Sequence, residues 1–444
     1  MRLSLSRRHA IEITKAALAG VDPYNLIRKR IGCSGNILTL PDSSALDLKA
    51  FDHIYVIGMG KGTAPLARGM EEILGDKLSG GQIIVKYGHT DKLKKVNQHQ
   101  AGHPLPDENT LIATKQLLEY TTCFTPRDLV FVLITGGGSA LMESLPEGTS
   151  LTDLINLNQI LLQCGATIHE INCVRKHVSR VKGGQLARFI APARGVVLIL
   201  SDVIGDDMSV IASGPTTPDH TTFTEAMHIL QKYQVVQKIP ESIRTHLEKG
   251  YSVQIPETPK PGDQVFMKMQ NILIGNNGLA LIAAERKASS LGYHTHIYSS
   301  AVQGPVEQVA KMIVAMISGI QESNHPVKKP ACILMGGEPT VIVKGKGKGG
   351  RNQHLALMMV HMLRKNKKPF IFLSCGSDGT DGPTDAAGAL VTCETLKQSE
   401  KRHLNIQNYL DNNDAYHFFE PLNALIKTGP TRTNVMDIMV VVVP

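Results

Sequence analysis

Short runs of apolar, mostly β-branched residues recur along the chain, separated by stretches in which apolar side chains return every three or four positions. The runs at 54–57, 82–85, 129–134, 195–200, 271–274, 332–335, 370–374 and 438–443 predict strands. The amphipathic stretches at 64–74, 241–249 and 355–364 predict helices between them. A strand that is apolar almost without a break has no face left for water, which is the pattern of a parallel sheet covered by helices on both sides. The class is therefore α/β, built in three layers.

A chain of 444 residues exceeds the roughly 250 to 300 that one hydrophobic core supports, so two α/β domains are expected. The segment 251–263, YSVQIPETPKPGD, holds three prolines and little apolar content. It places the boundary between a Rossmann-like domain at 1–250, with a mainly parallel sheet, and a second α/β domain at 264–444; the alternative is a long connection inside one domain. The following stretch, 271–299, reads as strand, turn, helix and strand, and either opens a second sheet or returns to the first.

Composition narrows the class of function. With 42% apolar and 19% charged residues the chain is not disordered, and its longest apolar runs fall far short of the roughly 18 residues of a membrane span. The basic start, MRLSLSRRHAIEITKAAL, is interrupted by Glu12 and Lys15 at helical spacing, unlike an export signal. Seven cysteines without a CxxC pair suit the reduced thiols of a cytoplasmic protein and speak against zinc. A formal charge of +8 favours anionic partners, either small phosphorylated or carboxylated metabolites or nucleic acid.

In open α/β sheets ligands collect beyond the carboxyl ends of the strands, and five turns in such positions are unusual. The first, Gly58-Met59-Gly60-Lys61-Gly62-Thr63, lets backbone N–H groups approach a phosphate or carboxylate at the start of a helix, with the Lys61 ammonium beside it. Its spacing matches neither a Walker A loop nor GxGxxG, and the plain alternative for Lys61 is a solvated surface lysine. The second, Gly136-Gly137-Gly138-Ser139, is too glycine-rich for a bare turn and suggests a backbone nest for an anion, the alternative being a crowded packing point against another strand. The third, 201–207, brings Asp202, Asp206 and Asp207 together, to hold magnesium or to cap a helix toward Ala212.

The fourth turn, 344–353, threads Lys344, Lys346, Lys348 and Arg351 between four glycines as a mobile cationic loop for a polyphosphate; Lys346, Lys348 and Asn352 are its candidate phosphate ligands. It contains no aromatic residue, so it offers nucleic-acid bases no stacking platform. The fifth, 376–385, carries Asp378, Asp381 and Asp385, which suggest oxygen ligands for a hard cation or a set of Asx turns. Cationic loops, carboxylate loops and glycine nests at strand ends are together what phosphoryl transfer requires. Arg175, Lys176, His177 and Lys182 lie close in sequence but not on one helical face, and His177 reads as a structural hydrogen-bonding residue.

The blocks GMGKGTAP, GHPLPDENT, LITGGGSALMESLPEG, INCVRKHVSRVKGGQLA, SDVIGDDMSVIASGPTTPD, GGEPTVIVKGKGKGGRNQ, GSDGTDGPTDAAGA and TGPTRTNVMDI, in this order from about Arg8 to the last residue, resemble the glycerate 2-kinase family with its carboxyl-terminal MOFRL domain. The resemblance implies two α/β domains with the active site in the cleft between them. It also implies ATP- and Mg2+-dependent phosphorylation of the 2-hydroxyl of D-glycerate, giving 2-phosphoglycerate and ADP. The family's proposed catalytic lysine maps onto Lys61 and its arginine onto Arg351; the Gly136 to Ser139 nest would grip the glycerate carboxylate or a phosphate. Asp202, Asp378 and Asp381 are the metal candidates. Two departures stand out: Met59 and Gly62 where the family's first turn usually has small residues in GAGKA, and His354 where GGRNQ is usually followed by Glu.

Two rivals compete with this expectation. A hydroxypyruvate reductase, a label some members of the family carry, would need a nicotinamide site, yet Thr63 stands in place of a third glycine and the run 82–85 is followed by Lys86 rather than an acidic residue. A polyanion-binding protein using 344–351 leaves the acidic turns unexplained. No nucleic-acid or membrane partner is expected, and a homo-oligomer is left open.

Overall fold

The computed structural model describes residues 2–444, which form two compact units. One is Pro23–Ile274; the other is the chain up to Asp22 together with Gly275–Pro444.

In the first unit a six-stranded sheet runs in the order Val96–Ala101, Gly80–Lys86, His53–Met59, Asp128–Ile134, Arg194–Leu200, Met269–Gly275. The four pairings among its first five strands are parallel. All seven residues of Asp128–Ile134 are buried, as its unbroken apolar run requires. The chain builds outward in one direction from His53–Met59 and then returns to build in the other from Asp128–Ile134. Between these two strands lies the topological switch point, where their carboxyl ends open a crevice. The helices Leu151–Gln163, Ile168–His177, Phe223–Lys232 and Glu241–Tyr251 share a separate core around Leu157, Val174, Leu230 and Leu247.

The proline-rich segment 251–263 belongs inside this unit, and the units divide after Ile274. Glu257 accepts from the Phe223 N–H at 2.9 Å, Thr258 Oγ1 donates to Asp219 Oδ2 at 3.0 Å, and Asp219 N donates to the Pro259 carbonyl at 2.9 Å. Prolines there mark a connection without regular structure rather than a break between cores. Likewise the helix Arg2–Gly20 joins the second unit, packing on Asn277–Ser290; a Cβ at Gly20 would run into Ala283.

The second unit has a mixed sheet in the order His294–Pro305, Ala331–Thr340, Asp437–Val443, Ile371–Gly376, Gly388–Thr392, Leu425–Ile426. Only its first pairing is parallel; the other four are antiparallel. The runs at 332–335, 370–374 and 438–443 are thus central strands of the expected kind in a sheet of different direction. Val306–Ser323 and Arg351–Leu363 pack over the face carrying Ile333, Phe372 and Val441, and Arg2–Gly20 and Asn277–Ser290 pack on the sheet as well. Continuous apolarity reports burial on both faces, and strand direction does not follow from it. No helix among the described residues is long and apolar enough to cross a membrane.

Candidate functional site

At the switch point of the first unit the two glycine turns are bonded to one another. Lys61 N donates to the Gly136 carbonyl at 2.9 Å, Thr135 N to the Met59 carbonyl at 3.1 Å, and Gly62 N to Thr135 Oγ1 at 2.9 Å. Gly60 has φ +129°, and a Cβ there would collide with Thr135; at Gly58 one would stand 2.5 Å from the Leu133 carbonyl oxygen. These glycines therefore admit a neighbouring strand end, besides any ligand. Lys61 is only 8% exposed, so it is not a solvated surface lysine. A Cβ at Gly137, φ +85°, would lie 3.4 Å from Lys61 Cε.

The nest residues meet a third segment. Ser139 Oγ lies 2.7 Å from Ser213 Oγ, and Gly138 packs so closely that a Cβ would be 2.8 Å from that of Ala212. Ala212, Ser213 and Gly214 are consecutively left-handed at φ 50°, 61° and 61°. Gly183 N and Gly184 N hold the last two through their carbonyls at 3.0 and 2.7 Å. Strain of this kind in non-glycine residues costs about 1–3 kcal/mol each and concentrates at functional sites.

Asp202 is half-buried in the turn after Arg194–Leu200. Asp207 accepts from Ser209 N at 2.8 Å, and no side chain caps the short helix Ile211–Ser213, so the capping alternative for this turn does not hold. Lys176 pairs with buried Asp219 at 3.2 Å, while His177 bonds the Cys173 carbonyl oxygen at 2.8 Å and Glu257 at 3.2 Å; both are structural.

In the second unit Arg351 begins the helix Arg351–Leu363 and is gripped by two carboxylates. Its Nε and Nη2 donate to Asp437 Oδ2 and Oδ1 at 2.6 and 3.1 Å, and Nη1 donates to Glu338 Oε1 at 2.6 Å. Burial opposes the charged guanidinium, but Asp437 and Glu338 outweigh it and raise the Arg351 pKa above its ordinary value. For Asp437 burial wins instead, pushing its carboxyl up to about 6 despite the arginine.

Because the folded-state value of Asp437 is raised, its own titration adds stability below the unfolded value near 3.8, and that contribution is lost as pH rises through about 6. Stability measured across pH 4 to 7 is expected to show this loss in the native protein and not in Asp437→Asn. The same protonation weakens the grip on Arg351 below about pH 6.

Asp381 is a cap. Oδ1 accepts from Asn352 N and Nδ2 at 3.1 and 3.3 Å and Oδ2 from Gln353 N at 2.8 Å, although burial raises its pKa. Asn352 is buried and accepts from Ser374 Oγ at 2.6 Å. Asp378 Oδ1 accepts from Thr380 N and Oγ1 at 3.0 and 2.9 Å, an Asx turn. No three His, Cys, Asp or Glu side chains among the described residues converge as a metal cage.

The cationic loop is tied down rather than mobile. Lys346 N donates to Asn412 Oδ1 at 3.1 Å, Lys348 N to Asp414 Oδ1 at 2.9 Å, and the Lys348 ammonium lies 4.2 Å from the centre of the Tyr416 ring. His354 lines a cavity of about 250 Å³ with Glu307, Met358 and His361, and burial lowers its pKa. Arg351 takes its carboxylates from Glu338 and Asp437, so an acid at 354 is not needed to orient it. Sequence reading missed Glu338, Asp437, Thr135 and Ser213 as partners; each lies inside a quoted block, at or just beyond a strand end or in a turn.

The first unit is a doubly wound α/β sheet with two glycine-rich turns at the switch point, where sheets of this class collect small ligands. A family model described as a domain of unknown function, DUF4147, matches residues 9–248, and the MOFRL family model matches 331–437. A glycerate 2-kinase of Pyrococcus horikoshii is 37% identical over 98% of this chain and 97% of its own. The crystal structure of a glycerate kinase from Thermotoga maritima superposes with a TM-score of 0.87 at 36% identity, covering 99% of this chain and 100% of the other. A relative in Agrobacterium vitis, 37% identical over 87% of this chain and 86% of its own, bears the provisional name hydroxypyruvate reductase. The chain belongs to the glycerate 2-kinase family.

Proposed function

We propose that the protein transfers the γ-phosphoryl group of ATP to the 2-hydroxyl of D-glycerate, releasing ADP and 2-phosphoglycerate. The observation that carries this reading is the buried lysine between two cross-bonded glycine turns at the switch point, in a chain of this family. Lys61 and Arg351 each neutralise charge that develops during phosphoryl transfer. Asp437 presents the guanidinium, and exposed Glu338 yields Nη1 to a phosphoryl oxygen. Gly58, Gly60 and the Gly136–Ser139 nest hold the glycerate carboxylate or a phosphate. Lys346 serves the outer phosphates, with Lys348 and Asn352 supporting that loop and helix start.

Mg2+ fits hard oxygen donors completed by substrate phosphates. Asp202 and Asp378 suit it better than Asp381, whose carboxylate is engaged by three N–H donors. When bound, the ion neutralises β- and γ-phosphate oxygens. The seven free cysteines support a reducing, cytoplasmic setting. Hydroxypyruvate reduction is disfavoured by Thr63 and by a strand, Gly80–Lys86, ending on a lysine where a ribose-binding acid belongs.

A coupled ADP-release assay over a panel of small hydroxy acids tests this reading. Turnover is expected only with ATP, Mg2+ and D-glycerate together, with a product that enolase consumes directly. Loss of reduced-nicotinamide absorbance on hydroxypyruvate, without ATP turnover, would replace the kinase reading by the reductase one.

A further inference from the structure

The block GHPLPDENT contains a histidine that none of the roles above uses. We propose that His103 accepts the proton of the substrate hydroxyl during phosphoryl transfer, an inference that rests on the reaction taking place beside Lys61.

Gly137 brings the groups together. A Cβ at this position would stand 2.9 Å from both Cδ2 and Nε2 of His103 and 3.4 Å from Lys61 Cε. One point on the glycine turn thus borders the imidazole edge and the lysine stem, and any larger residue there would displace the histidine. His103 comes from the turn after Val96–Ala101, two strands from His53–Met59 in the sheet, so its loop crosses toward the switch point.

That loop is braced. Asp107 accepts from Thr110 N at 2.9 Å and from Tyr87 Oη at 2.6 Å, and a further bond from the Gly102 backbone helps to keep its carboxyl below the ordinary carboxylate range against the opposing effect of burial. A Cβ at Gly102 would lie 2.7 Å from the Leu105 carbonyl oxygen, so the chain turns tightly just before the histidine. The imidazole is partly buried beside this turn.

A hydroxyl that attacks phosphorus must pass its proton to an acceptor in the site. The Lys61 ammonium and the glycine N–H groups stabilise negative charge but take no proton, whereas an imidazole accepts one near neutral pH. In the proposed step the hydroxyl oxygen bonds to the γ-phosphorus as its proton passes to Nε2 of His103. The bond from the γ-phosphorus to the bridging oxygen breaks, and its electron pair leaves on ADP. This requires the tautomer with its hydrogen on Nδ1, and the imidazolium afterwards releases the proton to solvent.

The test compares His103→Gln and His103→Ala with the native protein by steady-state kinetics at saturating ATP and Mg2+. Glutamine can hydrogen-bond the hydroxyl but cannot take its proton. Both variants are expected to lose about 100-fold or more in kcat with KM for D-glycerate little changed, and added imidazole is expected to restore part of the rate of His103→Ala. His103→Gln serves alone where the alanine variant does not fold. A kcat for His103→Gln within about threefold of native overturns the proposal, as does a loss confined to KM. If that variant is unchanged while Lys61→Ala is silenced, only this inference falls; if Lys61→Ala keeps full kcat, the placement of the reaction falls and takes this inference with it.

Discussion

Lys61→Ala is expected to lower kcat by about 100- to 1000-fold, the range seen when one preorganised charge-stabilising group is removed from a water-poor site. The lysine is 8% exposed and its backbone N–H is bonded to the Gly136 carbonyl, so its ammonium is presented by a fixed turn. That rigidity leaves little reorganisation to be done when charge develops on the phosphoryl oxygens. Lys61→Met, which keeps the stem against Gly137 and removes the charge, is expected to lose nearly as much as alanine. Retained kcat in the methionine variant would show that the stem's packing, and not its charge, is what the site uses.

Glu143→Ala is expected to destabilise the unit Pro23–Ile274 by about 3–5 kcal/mol, because it strands a buried cation. Lys182 and Glu143 are 1% and 2% exposed, with Nζ 2.5 Å from Oε2. Nζ also donates to the Met142 carbonyl at 3.2 Å, and Ser179 Oγ to Glu143 Oε1 at 2.5 Å. Burial pulls the Lys182 pKa below its ordinary value, and Glu143 is the principal opposing influence. Without it the lysine must lose its proton or open the core. The combined replacement Glu143→Leu with Lys182→Met is expected to recover most of the loss, since an apolar pair of similar volume carries no desolvation cost. Urea midpoints at constant m distinguish these outcomes. The pair also fixes the chain just after the short helix Gly138–Leu141, so the alanine variant should turn over more slowly even where it remains folded.

Every apolar run read as a strand is one, and the glycine turns that follow them lie at strand ends as expected. Val96–Ala101 was not legible because its sequence, VNQHQA, is polar, which an edge strand tolerates. Strand direction in the second unit was hidden for a related reason: an apolar run such as 440–443 reads the same whether its neighbours run with it or against it. Lys61 could be found locally, since a lysine among glycines after a strand is a sequence signal. The partners of Arg351 could not, because Glu338 and Asp437 reach it from two strands 13 and 86 residues away. Asp381 shows the opposite error: a carboxylate in a glycine-rich turn suggests a cation, yet a helix N-terminus nearly 30 residues earlier in the chain claims it.

The central proposal is that the charges of Lys61 and Arg351 both serve phosphoryl transfer. Its most direct test is the ADP-release rate of Lys61→Ala, Arg351→Ala and the double variant, each at saturating substrates. If both side chains act on the same transition state, each single loss is large and the double variant is little slower than the slower single one. Single losses that multiply in full, or an Arg351→Ala protein with native turnover, would contradict it.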